Sequence, residues 1–488
     1  MVFAKIKSLF FNNTSTKQTI FKNTFWLSFS EAITRLLGLF LFIYVANILG
    51  ATEYGKFAFA LSIVYLLNVF YGLTSPQIIT REIAQDKEKI KEISAIFSLK
   101  VILGILSLIL MIIISFFVTN DIFIRKVIWL LSIYVLLTSF LEIILAFVRA
   151  KQKMEYEFLM KVFQTILFVS LGFFVIFNFP SIINLSYSYL FSVLISLLVF
   201  LFIFHFKIHP LKFDFNIEVW KRILIMSWPL ALISIFSTLY NQIDSAMMGF
   251  WGQLTQTGWY NASYKIIGAS LIPANLIALS FYPSISRAFK ESKEKFQQLW
   301  EYHFSLMIFL AIPIMIGGLI LAPKIINFFY DSSYAPSVFA FKILIIMAGT
   351  IMFYIPLQQG LIIINQQVKF FWAVFIGVFV NVGLNYFLIP KFSLYGAAVA
   401  TVITNFIILL ILIIFSIKLM PIKLFNSKVF LSIITALIST LIMYFVITNE
   451  FIYSLHIILS IFIGGLVYLI CFFGVYKVLN KILNIKND

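Results

Sequence analysis

Runs of about twenty apolar residues recur along the whole chain, parted by short polar breaks. Each run has the length of one helical crossing of a bilayer's hydrocarbon core, and none alternates as a barrel strand would. Fourteen runs can be marked, at roughly 24–50, 55–79, 95–119, 127–149, 159–178, 183–206, 223–250, 258–283, 300–322, 338–364, 370–389, 393–416, 428–448 and 452–476. Only 11% of residues are charged, where soluble domains carry roughly a quarter. Mean hydropathy is +1.04, so water is not the main solvent. The expected fold class is an all-α polytopic membrane protein with about fourteen transmembrane helices. No break is long enough to fold as a soluble domain. The polar residues before the first run outlast a signal peptide's charged region and no small-residue cleavage site follows, so that run reads as an uncleaved helix.

A net charge of +17 raises the question of nucleic acid, and its distribution answers it. With the amino terminus in the cytoplasm, 28 of the 36 Lys and Arg fall in cytoplasmic segments or near the cytoplasmic ends of the adjoining spans, and only Lys56, Arg125, Lys126, Lys324 and Lys391 fall opposite. This is the positive-inside pattern, which places both termini in the cytoplasm and excludes a nucleic-acid partner. Basic segments such as REIAQDKEKIKEISAIFSLK (81–100) then face anionic lipid.

The chain also repeats. NILGATEYGKFAFALSIV joins spans 1 and 2, and GFWGQLTQTGWYNASYKII joins spans 7 and 8. Gly55 and Phe57 correspond to Gly258 and Tyr260 at an offset of 203 residues. VSLGFFVIFNFP (169–180) matches FVNVGLNYFLIP (379–390), and the ends of spans 4 and 10 (RAKQKMEYEF, IINQQVKFFW) correspond loosely. Six spans per half make the repeat parallel, about an axis along the membrane normal, with a central cavity between two six-helix bundles. The expected organisation is an N-lobe at 1–206, a cytoplasmic linker at 207–222, a C-lobe at 223–416, and two added helices within 417–488.

A charge at mid-membrane costs about 2.5–3.5 kcal/mol on insertion scales, so it normally faces protein or water. Span 1 carries Thr24, Ser28, Glu31, Arg35 and Gly38 on one helical stripe. Span 8 repeats the pattern with Asn261, Lys265, Gly268 and Asn275. Span 7 adds Ser234, Ser237, Asn241 and Asp244; span 2 adds Tyr65, Asn68, Gly72 and Ser75; span 11 adds Asn381 and Asn385. Glu31 and Glu142 lie at similar depth and share or compete for Arg35, while Asp244 pairs with Lys265. Each pair reads either as a neutralised tie between helices or as part of an anion site. Arg35 is the one arginine of six inside a span, and its planar fork suits phosphate oxygens. His303, near the start of span 9, reads as interfacial. Cys471 is the single cysteine, and no spaced His/Cys cluster or Walker loop exists, so metal, thiol and nucleotide chemistry are not expected.

Taken together, the charged first helix, the ILGATEYGKFAFALSIV turn, the NxxGLxxxLIP-like stretch at 381–390 and the 6 + 6 + 2 span count resemble a known group. They resemble the polysaccharide-transporter branch of the multidrug/oligosaccharidyl-lipid/polysaccharide exporter superfamily, in particular O-antigen and capsule repeat-unit flippases of the Wzx type. The resemblance implies a non-enzymatic, multi-pass inner-membrane flippase. Its cargo would be an undecaprenyl-pyrophosphate-linked oligosaccharide, moved from the cytoplasmic to the periplasmic leaflet by alternating access for O-antigen, capsule or exopolysaccharide biosynthesis. It implies no cofactor, coupling to a proton or sodium ion, and contact with membrane lipid and with polysaccharide polymerase or assembly machinery. On this chain Arg35 and Lys265 would engage the pyrophosphate. Asn68, Asn241, Asn275, Asn381 and Asn385 would bond sugar hydroxyls, and Glu31, Asp244 or Glu142 would carry a coupling ion or balance charge. A multidrug/ion antiporter of the same superfamily, a peptidoglycan-precursor flippase, a membrane polymerase and a structural assembly partner are the alternatives.

Overall fold

A computed structural model describes residues 13, 15–68, 73–207, 212–424 and 426–482. Gly72 and residues 208–211 of the expected linker lie outside them. The described chain is helical throughout: α1 (Thr16–Leu67), α2 (Pro76–Gln85), α3 (Ile93–Val118), α4 (Ile122–Ala150), α5 (Met154–Asn178), α6 (Ile182–Lys207), α7 (Ile217–Phe250), α8 (Leu254–Ser270), α9 (Ile272–Glu291), α10 (Lys293–Phe329), α11 (Ser337–Ile363), α12 (Gln367–Leu419), α13 (Ser427–Thr448), α14 (Glu450–Ser454) and α15 (Ile457–Ile482).

Among the described residues eleven helices, α8 and α9 together counting as one, are long and apolar enough to cross a membrane, and α7 adds another, bent by 52° between Ile217–Trp228 and Leu230–Phe250. Two of the eleven are too long for one crossing. α1 has 52 residues and α12 has 53; at about 1.5 Å per residue each is more than twice the roughly 30 Å hydrocarbon core. Both are interrupted by one non-helical residue, Gly50 (φ 77°) in α1 and Ser393 (φ 54°) in α12. Each therefore supplies two crossings, which brings the total to fourteen. The protein is a polytopic α-helical membrane protein, and its surface fits that solvent: Phe117, Phe174, Phe202, Phe206 and Phe473 stand exposed.

Local chemistry sets the helix ends. Ser15, Asp121, Asn216, Ser292 and Asn426 accept backbone N–H bonds at the N-termini of α1, α4, α7, α10 and α13. α4, α7 and α11 end alike, on a left-handed residue: Gln152 (φ 55°), Gly252 (φ 74°) and Asn365 (φ 60°). The following amide bonds back five residues, Lys153 N to Val148 O (3.2 Å), Gln253 N to Met248 O (2.9 Å) and Gln366 N to Leu361 O (2.7 Å). The corresponding ends of spans 4 and 10 thus share one cap.

The chain forms two compact units, Met1–Gly258 and Trp259–Asp488. The first is built around Ile79 and Ile83 of α2, Ile96 of α3, Ile144 and Phe147 of α4, Val193 and Phe204 of α6, and Ile223 of α7. Within it the repeated turns meet reciprocally. A Cβ on Gly55 would overlap the Leu254 carbonyl, and a Cβ on Gly258 would overlap the Ala51 carbonyl. Thr52 and Thr255 hydroxyls are 2.8 Å apart, again 203 residues apart in sequence. Residue i meets j while j's equivalent meets i's, the signature of a two-fold related contact.

In the second unit, Ala274 and Ala278 of α9, Met307 and Ala311 of α10, and Met352 of α11 form one core. α13 and α15 pack on α10 through Ile308, Ile312, Ala436, Met443 and Phe472. Tyr468 donates to the Phe309 carbonyl (2.8 Å), and Ser432 bonds Ser305 (2.9 Å).

Candidate functional site

In the first crossing Arg35 is exposed, and Thr24, Ser28, Glu31 and Gly38 are half-buried. Arg35 Nε donates to Glu31 Oε1 at 2.5 Å, one turn apart, and the two side chains stay 44% and 41% exposed. A half-exposed ion pair in the middle of a crossing is not a packed tie. It needs water or a polar ligand at that depth rather than hydrocarbon. Asn68 caps the end of α1 through its amide, bonded to the Tyr65 carbonyl at 3.2 Å. Asn241 is exposed on α7 and donates to the Ser237 carbonyl (2.7 Å); Asp244, one turn on, is buried.

In the second unit, Lys265 on α8 and Asn275 on α9 are both half-buried. Asn381 and Asn385 of α12 are fully buried, and Asn385 donates to Asn381 Oδ1 at 3.0 Å. The Asn381–Asn385 amides therefore sit in the interior of their own unit, not on an exposed face.

Glu142 lies elsewhere than its depth suggested. It accepts from Arg149 at 3.3 Å, and its neighbours are charges that the sequence reading passed over. Arg149 Nε and Nη2 grip Glu157 in a fork, both at 2.9 Å, and Lys161 joins Glu157 at 2.9 Å. Lys22 is buried against Glu155 at 2.9 Å, with the Gln152 carbonyl at 3.3 Å. Arg35 is thus not the one arginine within a crossing. The missed signal was opposite charge flanking a turn in RAKQKMEYEF: the left-handed Gln152 folds α5 back so that Glu157 meets Arg149. Nor does the basic segment 81–100 lie wholly at the surface. Glu82 is buried against Lys89 (2.5 Å), and Lys100 is only 2% exposed, its ammonium on the Ser139 carbonyl (2.6 Å).

His303 is also corrected. It is fully buried in α10, its ring stacked on Phe281 with centroids 5.2 Å apart, and among the described residues neither ring nitrogen has a hydrogen-bond partner. No group of three His, Cys, Asp or Glu side chains able to hold a metal ion occurs among the described residues.

Residues 20–289 match the model of a family described as polysaccharide biosynthesis protein, more than half of the chain. The chain belongs to that family. The matched stretch contains Glu31, Arg35, Asn68, Glu142, Asn241, Asp244, Lys265 and Asn275, and leaves Asn381 and Asn385 outside.

This family member is 25% identical over 207 residues to the capsular polysaccharide biosynthesis protein CapF of Staphylococcus aureus, covering 41% of this chain and 51% of that protein. It is 25% identical over 175 residues to the probable low-salt glycan biosynthesis flippase Agl15 of Haloferax volcanii, covering 35% of this chain and 36% of that one. The matches thus span about half and about a third of these curated relatives. Among solved structures, the lipid II flippase MurJ in an inward closed conformation superposes with a TM-score of 0.75 at 19% identity, over 94% of this chain and 99% of its own. An inward-facing multidrug resistance transporter of the MATE family superposes with a TM-score of 0.66 at 16% identity, over 79% and 97%. At such identities these likenesses establish the fold alone. With the apolar helices, the family match makes this a transmembrane polysaccharide biosynthesis protein.

Proposed function

We propose that this family member is a flippase for an undecaprenyl-pyrophosphate-linked oligosaccharide, moving the repeat unit from the cytoplasmic to the periplasmic leaflet by alternating access. The half-exposed Glu31–Arg35 pair inside the first crossing carries this reading. A saccharide head group cannot cross hydrocarbon unaided, since each unpaired polar group costs several kcal/mol there. A guanidinium held one turn from its carboxylate is oriented but not enclosed, so its free donors can take diphosphate oxygens. Lys265 supplies a second cation, and Asn68, Asn241 and Asn275 supply amides for sugar hydroxyls. The buried Asn381–Asn385 pair serves best as a polar joint within its unit. Glu31 or Asp244 carries a coupling proton or sodium ion. The protein transports rather than makes or breaks bonds, sits in the inner membrane with both termini cytoplasmic, and hands its cargo to polymerase or assembly machinery.

The test is complementation of a strain lacking its own O-unit flippase with wild type, Arg35→Ala and Arg35→Lys, membrane levels being checked by blotting. Restoration of surface polysaccharide by wild type alone supports arginine-specific phosphate contact. Restoration by all three makes Arg35 a structural partner. Failure of a well-expressed wild type moves the question to another sugar, or to drug efflux.

A further inference from the structure

A cavity of about 460 Å³ lies within the second unit, where the first half of α10 and the start of α13 meet the later turns of α15. Its polar end holds Glu301, Ser305, Lys428 and Ser432, and its walls are Phe309, Phe472 and Phe473, with Tyr302 and Tyr476 completing the lining. The size suits a drug-sized or single-lipid ligand, for which pockets run about 300–1,000 Å³.

Two charges in it are unspent. Glu301 is 7% exposed, and its Oε1 receives the side-chain amides of Gln297 and Asn426. Those two side chains also hold the loop before α13: Gln297 bonds both the amide and the carbonyl of Lys423, and Asn426 caps α13. Glu301 is therefore fixed in place, and its Oε2 has no hydrogen-bond partner among the described residues. The Lys428 ammonium likewise has neither an ion pair nor a hydrogen bond among the described residues. A carboxylate oxygen without a donor on a mostly buried side chain and an ammonium without an acceptor, both lining one cavity, suit a ligand of both signs.

We propose that this cavity is a binding site for a zwitterionic glycerophospholipid with a primary ammonium, the phosphatidylethanolamine class. Its ammonium meets Glu301, its phosphate meets Lys428, and an acyl chain lies along Phe309, Phe472 and Phe473. Tyr302 and Tyr476 have the apolar body and polar tip that suit the head-group boundary. A polyprenyl chain would fill the aromatic wall but leave both charges unmet, and a choline head would offer Glu301 no N–H donor. The site sits at the membrane face that the topology assigns to the cytoplasm, and it does not depend on the identity of the cargo.

Native mass spectrometry of the full-length, delipidated protein tests it, with phosphatidylethanolamine, phosphatidylglycerol, phosphatidylcholine and undecaprenyl phosphate as probes at equal concentration. Wild type is expected to retain phosphatidylethanolamine roughly tenfold better than phosphatidylcholine, the worth of one charge-assisted hydrogen bond. Lys428→Ala and Glu301→Gln are each expected to remove most of that preference. Because Glu301 also holds a loop, Lys428→Glu supplies a variant at a half-buried side chain, read by loss of the lipid-induced rise in melting temperature. Equal retention of all four probes, an unchanged preference in Lys428→Ala and Lys428→Glu, or displacement by undecaprenyl phosphate would each overturn the assignment.

Discussion

At the scale of single residues, charge and burial sort the polar side chains into two kinds. Glu31 and Arg35 are paired yet open, whereas Glu157 is enclosed and gripped by both Arg149 and Lys161. Removing one partner of a buried pair strands the other, at a cost of about 3–5 kcal/mol when fully buried. Arg149 remains partly solvated, so Arg149→Met is expected to cost about 2–3 kcal/mol, lowering the melting temperature in detergent. Arg149→Met with Glu157→Met should recover part of that loss; equal melting of the single and double variants would deny the coupling. His303 poses the opposite case, a buried ring whose nitrogens lack partners among the described residues. An unsatisfied buried polar group costs about 1–3 kcal/mol. His303→Phe is therefore expected to raise the melting temperature and leave transport intact, as complementation with a parallel melting curve would show. Loss of transport in a stable variant would instead mark the imidazole as functional.

At the scale of elements, the reciprocal contact of the two outer turns is the sharpest feature. Gly55 and Gly258 admit no side chain, because each faces a carbonyl of the other turn. Overpacking such a contact typically costs about 1–3 kcal/mol. Gly55→Leu and Gly258→Leu are expected to destabilise by similar amounts, and a much smaller effect at one would break the symmetry argument. The Thr52 and Thr255 hydroxyls are 2.8 Å apart. Thr52→Cys with Thr255→Cys, in a Cys471→Ser background, should form a disulfide on mild oxidation, visible as a reductant-sensitive mobility shift. Transport that stops when oxidised and returns on reduction would show that these turns part during the cycle.

At the scale of the whole molecule, the fourteen crossings predict a side for every loop. In Cys471→Ser, Asp331→Cys and Asn449→Cys should react with an impermeant maleimide in intact spheroplasts, and Asp214→Cys only after permeabilisation. The reverse pattern would invert the molecule and with it the charge rule that oriented it.

Sequence alone determined the solvent and the number of crossings, and it pointed to the repeat. Apolar length is a property of the chain itself, and a turn that recurs at one offset needs no neighbours to be seen. It also located Glu31, Arg35 and Asp244, because a charge inside an apolar run stands out without any partner. Only tertiary structure decided who pairs with whom. Glu157 met Arg149 because a left-handed Gln152 folds α5 back on α4, and Glu142, two turns back on α4, shares that arginine. Lys100 was buried against α4 and His303 against α9, and Asn381 and Asn385 bonded each other inside their unit. Glu301 and Lys428 came to line one cavity although 127 residues separate them, the same separation as the neighbouring Ser305–Ser432 bond. Depth along a helix can be read from hydropathy. The direction in which a side chain points, and what it meets there, depends on packing between segments, which no single segment encodes.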